Sequence, residues 1–499
     1  MRIIILAAGE GSRLGGLTKN IPKCLLSFGG KPAILHLLEK LPEADEICVC
    51  ISPDFRGELL RNYLTSVKYK FRFVVQEKPV GTADAVKLCF EQEDDVLISW
   101  SDIIPVNTTS KPSNSSIFTT EDFLCRYRFD GHNIESADGN IIGMFFISKS
   151  DFGAINDKLL NSSNEDFVDV LQSSGIKFSN VPIECFDFGT EKTLKQTKNT
   201  LNTSAYASIS VEGDVVSKKY NDLSGELFSK ESTWYNYSPD SVKRFIPNIL
   251  NINESDKTIY MDRVDDDDIM YDYSMKDFLA RAVYVLDEYF HSNKYPVHEE
   301  SLIQEYITEP LNRCKFVYDV VPRLSSKELF INGKSYINPH YLLQSRSDDI
   351  VGKLIPKSFS FIHGDPTLQN IMCNNGEPIF IDPKAKFGNI WLYGDHKYDF
   401  AKLYYSLIGN YDKFNCGEYS LSVGEEFIYS IEKPKFGALD SWFLSYLNNK
   451  IGVQPGDIKL IHAIIWLRVT GYVLPKSIEQ AIVAFLNAAI LLNNSLVVK

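Results

Sequence analysis

The chain opens on Arg2-Ile3-Ile4-Ile5-Leu6, a short β-branched apolar run that passes directly into Ala7-Ala8-Gly9, then Gly11, Ser12, Arg13, Gly15 and Gly16, and closes on Ile21-Pro22-Lys23. A run of this kind is expected of a parallel strand covered on both faces, and it limits the fold more than any other stretch. The small residues Ala7, Ala8 and Gly9 let backbone come close to a ligand. The glycines permit tight turns that aim backbone N–H groups at phosphate oxygens, and Arg13 and Lys23 add fixed positive charge suited to a triphosphate. A plain strand-to-helix connection is the competing reading of such a loop.

Strands then alternate with helices. Glu46 to Ser52 and Phe71 to Gln76 read as further buried strands and Asp94 to Asp102 as a fourth, with an amphipathic segment from Ile34 to Leu41 and a turn entering a helix over Pro79 to Ala85. This order predicts an α/β fold with a doubly wound, mostly parallel, Rossmann-like sheet, whose ligands lie beyond the carboxyl ends of the strands. Asp102 falls at such an end, where it can hold a hard divalent cation against phosphates. Gln76 closes the third strand; its carboxamide can donate to and accept from a nucleobase edge, and Gly81 lets backbone do the same. A polar strand end with a helix cap is the alternative. Asn107 to Ser116 reads as a surface loop or lid, and the aromatic tract Phe123 to Phe129 as core packing, with pocket lining the alternative.

With 499 residues the chain is too long for one ordinary core, and two or three domains are expected. The net charge of −13 argues against nucleic acid and against anionic lipid as partners. No stretch reads as a signal peptide or a bilayer span, and the nine scattered cysteines, Cys48 and Cys50 among them, read as reduced thiols of a cytoplasmic protein. The sequence leaves oligomerisation open.

The stretch from Leu6 to Lys23 resembles the signature loop of the sugar-nucleotidyltransferase family, which includes sugar-1-phosphate nucleotidylyltransferases and phosphocholine cytidylyltransferases. The resemblance implies a nucleotidyltransferase domain over residues 1–200, with Leu6, Ala8, Gly9, Gly11 and Ser12 binding the nucleoside triphosphate. It also implies that Arg13 and Lys23 hold the phosphates during transfer and that Gln76 and Gly81 contact the base. Asp102, with Asp187 of Asp187-Phe188-Gly189-Thr190, is implied as the Mg²⁺ ligand pair. Gly15-Gly16 departs from relatives that often carry a bulkier residue and a proline there.

Between Gln196 and Ser204 the composition turns to Lys, Thr, Asn and Ser, as at a domain boundary. Ala207 to Tyr220 then alternates as a β-hairpin with Gly213 in its turn, a helix is expected from about Glu226 to Tyr237, and a strand over Thr258 to Val264. Further on stand His363-Gly364-Asp365, Asn370 five residues after the aspartate, and an apolar run ending in Asp382. Such a set lets one carboxylate accept a hydroxyl proton while Asn370 and Asp382 hold Mg²⁺ on nucleotide phosphates.

This pattern resembles the aminoglycoside phosphotransferase and choline kinase family, which has a protein-kinase-like (α+β) fold. The resemblance implies a second domain over residues 205–499, with a small lobe to about 270 and a helical lobe beyond, the final stretch from Phe414 included. By it Asp365 is the catalytic base, Asn370 and Asp382 are metal ligands, and His363 braces the loop. Lys218, or else Lys219, is expected on the ATP phosphates with Glu231, or else Glu226, as ion-pair partner. The glycine-rich phosphate cover is reduced to Glu212-Gly213-Asp214. Asp265 to Asp268 reads as a solvated acidic face, and Asp395 and Asp399 as structural.

Together these features predict a bifunctional enzyme. One half would phosphorylate a small alcohol (choline, a sugar or a polyol) from ATP. The other would join the phosphorylated product to a nucleotide, CTP being the expected donor, for capsule or lipopolysaccharide precursors. The alternative is a nucleotidyltransferase whose second half is a non-catalytic substrate-binding or regulatory module.

Overall fold

In the computed structural model the chain divides into two compact units: Met1–Thr203 with Asp319–Pro322 and Val473–Glu479, and Ser204–Tyr318 with Arg323–Tyr472 and Gln480–Lys499. The structure describes residues 1–496 apart from 29–30, 68, 79, 91–92, 124, 137, 163–164, 202–206, 222–223 and 266–273. Pro79, Leu124 and Asp266 to Asp268 therefore lie outside the described residues.

The first unit is built on strands β1 (Arg2–Leu6), β2 (Glu46–Ile51), β3 (Phe71–Val75), β4 (Val96–Trp100), β5 (Ile103–Pro105), β6 (Ser116–Thr119), β7 (Ile141–Ile147), β8 (Ser179–Pro182) and β9 (Cys185–Asp187). Seven of them form one sheet in the order β3-β2-β1-β4-β7-β6-β8. All its pairings are parallel except the two made by β7. β1 lies inside the sheet and is buried along its whole length, which its unbroken apolar run allows. β3, expected as a buried strand, is instead the edge, and its five residues are only half-buried because no strand lies beyond it.

Helices α1 (Ala33–Leu38), α2 (Phe55–Thr65), α3 (Thr82–Cys89), α4 (Phe152–Asn161), α5 (Phe167–Ser173) and α6 (Glu191–Leu201) complete the unit. Asp54 caps α2 by accepting from the N–H groups of Arg56 and Gly57. One core cluster joins Ile4, Leu6, Cys48, Cys50 and Ile98 of the sheet to Val86, Cys89, Ile155, Phe167 and Leu171 of the helices. Each Ile, Leu, Val or Phe among them contributes about 1.5–3 kcal/mol by leaving water. None of the nine cysteines is in a disulfide; at Cys89 the Cys48 hydrogen bond pulls the thiol down, but the Cys50 hydrogen bond and burial outweigh it and push the thiol up. β5 and β9 form a separate antiparallel pair that sets Asp187 opposite Ile103.

The second unit begins with β10 (Ala207–Glu212), β11 (Val215–Tyr220), β12 (Ile249–Asn253) and β13 (Thr258–Asp262), an antiparallel sheet in the order β10-β11-β13-β12. Helix α7 (Gly225–Tyr237) follows β11 and buries Phe228, Glu231 and Trp234. Beyond residue 273 the unit is largely helical, with strands set among the helices, two of them in the final stretch from Phe414. Strands β14 (Glu328–Ile331), β15 (Lys334–Ile337), β16 (Phe359–Phe361), β17 (Ile371–Asn374), β18 (Glu377–Phe380), β19 (Tyr419–Val423) and β20 (Phe427–Ile431) occur within it. β15-β14-β20-β19 make a four-stranded sheet. The physical reason lies in the period: Leu421, Phe427 and Tyr429 are buried while Ser420, Ser422, Ile428 and Ser430 are exposed, which is alternation by two and not by 3.6. Helices α8 (His396–Leu407), α9 (Pro455–Val473) and α10 (Ile478–Leu496) supply most of the remaining core, with Trp466 and Phe485 fully buried. Among the described residues no helix is long and apolar enough to cross a membrane.

Candidate functional site

β1 and β4 are parallel neighbours with Leu6 paired to Trp100, so the loop after one and the bend after the other leave the sheet at the same edge. There they open on a cavity of about 680 Å³. Leu6, Ala8, Gly9, Arg13 and Lys23 line it from the first loop, and Gln76, Gly81, Asp102 and Asp187 from the later ones. Two residues expected with them are elsewhere. Ser12 lines a separate shallow depression with Glu10, Thr18, Lys19 and Arg56, because successive side chains diverge in the turn Ser12–Thr18. Gly11 shapes the loop instead of lining the cavity. Its φ is +68°, its carbonyl accepts from Thr18 Oγ1 at 2.9 Å, and a Cβ there would press on Thr18 at 3.0 Å.

The β5–β9 pairing brings the two aspartates together: Phe188 N donates to the Asp102 carbonyl at 3.1 Å. Both carboxylates converge over Gly189, where a Cβ would lie 2.9 Å from Asp102 Oδ2 and 3.2 Å from Asp187 Oδ1. Lys23 Nζ stands 2.5 Å from Asp102 Oδ2, while Asp102 Oδ1 is buried with no hydrogen-bond partner. Burial, then the charge of Asp102, pushes the Asp187 carboxyl above its ordinary range. Gln76 is buried, and its NH₂ group donates to the Gly81 carbonyl at 3.1 Å and to Asp84 Oδ2 at 3.0 Å. Both donors are thus spent, so the two-way base contact expected of it narrows to acceptance by its carboxamide oxygen.

Trp100, Asp122, Asp166, Lys192 and Gln196 also line this cavity, with Phe123 and Arg126 of the aromatic tract. Asp166 accepts from Tyr127 Oη and from Thr82 Oγ1 at 3.3 Å, with Arg126 Nη2 at 3.5 Å. The tract Phe123 to Phe129, expected in the core, divides. Tyr127 and Phe129 are buried there, whereas Phe123 and Arg126 face the cavity.

A second cluster forms in the second unit. Lys218 Nζ lies 2.7 Å from Glu231 Oε2 and 2.7 Å from Asp382 Oδ1, and Tyr220 Oη also donates to Glu231. Burial alone would lower the Lys218 ammonium, but Glu231 and Asp382 outweigh it and hold the group charged. Lys219 points to the exposed face of the strand, and Glu226 pairs with Lys230 at the surface. On the face of Lys218 the register sets Ile209 and Val211 beside it, 64% and 54% exposed, an apolar strip left open to solvent. Asp382 itself takes a left-handed φ of +56°, which aspartate tolerates better than most residues.

The loop carrying Asp365 is gripped by α8. Asp399 accepts from the N–H groups of His363 at 3.0 Å and Gly364 at 2.7 Å, and Ser406 Oγ accepts from Leu368 N at 3.0 Å. Between them Lys402 Nζ approaches Asp365 Oδ1 at 2.9 Å. These three lie three and four residues apart, hence on one helix face. Burial works against the Asp365 carboxylate, but Lys402 outweighs it and holds the group below its usual range. Asn370 Nδ2 donates to the Asp365 carbonyl at 2.9 Å, and its own carbonyl accepts from Ile381 N at 3.0 Å, next to Asp382. His363 is fully buried with Nε2 2.9 Å from the Ile381 carbonyl.

A family model described as Nucleotidyl transferase matches residues 2–107. Over 164 residues the chain is 31% identical to the mannose-1-phosphate guanyltransferases of Saccharomyces cerevisiae and Candida albicans. The matched stretch covers 31% of this chain and 41% of each relative, so the chain spans about two-fifths of the length of these curated relatives. Among solved structures, a putative glucose-1-phosphate thymidylyltransferase from Bacillus anthracis is similar at 21% identity with a TM-score of 0.35, over 41% of this chain and 96% of that one. CTP:phosphocholine cytidylyltransferase from Streptococcus pneumoniae is similar at 19% identity and 0.35, over 40% and 99%. Residues 2–107 of the first unit are thus similar to nucleotidyl transferase domains, and the 164-residue stretch to sugar-phosphate nucleotidyltransferases.

Among the described residues no three His, Cys, Asp or Glu side chains converge as a metal site. A pair is enough for Mg²⁺, which keeps waters and takes substrate phosphates as its other ligands. Asp102 and Asp187 fit that role: Asp102 Oδ1 is orphaned in a buried setting, and the two carboxylates converge over Gly189, which brings no side chain of its own between them.

Proposed function

We propose that the first unit transfers a nucleotidyl group from a nucleoside triphosphate to a sugar phosphate and releases pyrophosphate. The observation that supports it best is the meeting of Arg13, Lys23, Asp102 and Asp187 on one cavity. A phosphate oxygen of the second substrate attacks the α-phosphorus. Its bond to phosphorus forms as the bond to the bridging oxygen of the β-phosphate breaks, and the electron pair leaves with pyrophosphate. Arg13 and Lys23 hold the charged oxygens in line, while Ala8 and Gly9 admit them close to the backbone. Mg²⁺ held by Asp102 and Asp187 supplies further positive charge to the phosphates when bound. The guanyltransferase relatives favour a sugar 1-phosphate with GTP, ahead of the CTP and choline route expected from the sequence. Mass spectrometry after incubation with each triphosphate and a panel of sugar 1-phosphates tests this reading. A nucleotide-sugar that disappears with Asp187→Asn supports it, and no product with any pair overturns it.

For the second unit we propose phosphorylation of a hydroxyl from ATP, with Asp365 as base, Lys218 on the phosphates, and Asn370 and Asp382 as the residues that would hold Mg²⁺. The Lys218–Glu231–Asp382 network and the open apolar strip beside it support this reading. Lys402 stands against Asp365 and Lys384 lies near it, which favours a sugar or polyol over the cationic choline. Product of one unit would then serve the other, in the making of surface-glycan precursors. A non-catalytic second unit is the other reading, favoured by the phosphate cover, which offers the single Gly213 in its turn. ADP formation by the full chain, lost with Asp365→Asn, separates the two.

A further inference from the structure

Lys402 has no role in the sequence pattern around Asp365, yet its place is unusual. The side chain is 14% exposed, its ammonium lies 2.9 Å from Asp365 Oδ1, and it stands over the Tyr405 ring at 5.2 Å. Drawing an ammonium out of water costs free energy that a purely structural tie does not require. The loop is already fixed on either side by Asp399 and Ser406. The other cations nearby are committed elsewhere: Lys384 to Glu305 at 2.7 Å and to Tyr398 Oη at 3.3 Å, and Lys218 to Glu231 and Asp382. Among the described residues, Lys402 is the cation near Asp365 whose ion pair is with Asp365 alone.

A hydroxyl that gives its proton to Asp365 must approach within about 3 Å of it, and the phosphorus under attack lies in line beyond that oxygen. The ammonium beside Asp365 is then within one hydrogen bond of a phosphoryl oxygen. We propose that Lys402 is a catalytic residue of the phosphotransfer ascribed above to the second unit, touching an oxygen of the phosphoryl group as it passes to the acceptor. The proposal rests on that kinase reading. In the step, the acceptor hydroxyl proton moves to Asp365 and the new O–P bond forms. The bond from the γ-phosphorus to the bridging β-phosphate oxygen breaks, and its electron pair leaves with ADP. Lys402 offsets the charge on the phosphoryl oxygens and leaves the proton path to Asp365 open.

The test uses the full chain, MgATP and a panel of neutral sugars and polyols, with ADP as readout. Lys402→Met is expected to lower kcat at least about a hundredfold with little change in KM for ATP, the signature of contact made in the transition state. Lys402→Gln keeps a hydrogen-bond donor without the charge and is expected to be as slow, whereas Lys402→Arg recovers at least about tenfold of the loss. Wild-type kcat in the Met or Gln variant, or an Arg variant no faster than Met, overturns the inference and leaves the kinase reading standing. No ADP from the wild-type chain with any acceptor overturns the kinase reading and this inference with it.

Discussion

Gly189 shows how narrow the tolerance is around the two aspartates. A methyl group there would sit 2.9 Å and 3.2 Å from carboxylate oxygens of Asp102 and Asp187, filling the space that a cation would need. Gly189→Ala is therefore expected to reduce pyrophosphate release by about a hundredfold or more while the melting temperature changes little, as a paired activity assay and thermal melt will show. Asp102→Asn is expected to cost a similar factor in rate, because it removes both a donor oxygen and the partner of Lys23. The gathering of Arg13, Lys23, Gln76 and Asp102 was legible because each follows an apolar strand or a glycine turn, and strand ends in a parallel sheet share one edge; Asp187 joins them through the separate antiparallel β5–β9 pair. Ser12 was misplaced because spacing along a loop does not say which way each side chain turns. Asp122 was missed for a related reason: it sits in irregular backbone, where no period marks a face.

Among the elements, α8 carries the most consequence, since one of its faces grips the Asp365 loop and its first residue is capped by a buried acid. Asp395 accepts from Lys397 N at 3.0 Å and Tyr306 Oη at 2.9 Å, and burial pushes it up to about 6 although Lys397 pulls the other way. The folded chain thus holds this proton more tightly than the unfolded chain, whose carboxyl titrates near 3.8. Its contribution to stability is complete below the unfolded value and lost as pH rises through about 6. Asp395→Asn, neutral throughout, should remove that slope. Between pH 4 and 7 the wild type is expected to lose a few degrees of melting temperature relative to the variant, about 2–4 °C for each kcal/mol in a unit of this size. The alternation of strands and helices in the first half was readable as a parallel sheet. The reversal of β7 was not, since an apolar run carries no mark of direction. The hairpin β19–β20 was absorbed into a helical reading because the stretch from Phe414 was judged by composition rather than by period.

For the whole molecule, the two candidate sites use separate sets of residues within separate compact units. Asp187→Asn is expected to abolish pyrophosphate release and leave ADP formation intact, and Asp365→Asn to do the reverse, with both measured on the full chain. A common device recurs in the two places. Lys23 rests on Asp102 at 2.5 Å and Lys218 on Asp382 at 2.7 Å, so each of these acids already has an ammonium as its companion. Free magnesium would have to evict that companion without offering it anything in exchange, whereas magnesium carried in on a triphosphate brings the lysine a replacement anion. Calorimetric titration should accordingly show feeble uptake of the bare ion and strong uptake once a nucleotide is present. On the reading proposed above, such a protein is expected to draw its divalent ions from the nucleotide pool and to stay indifferent to the level of the free ion.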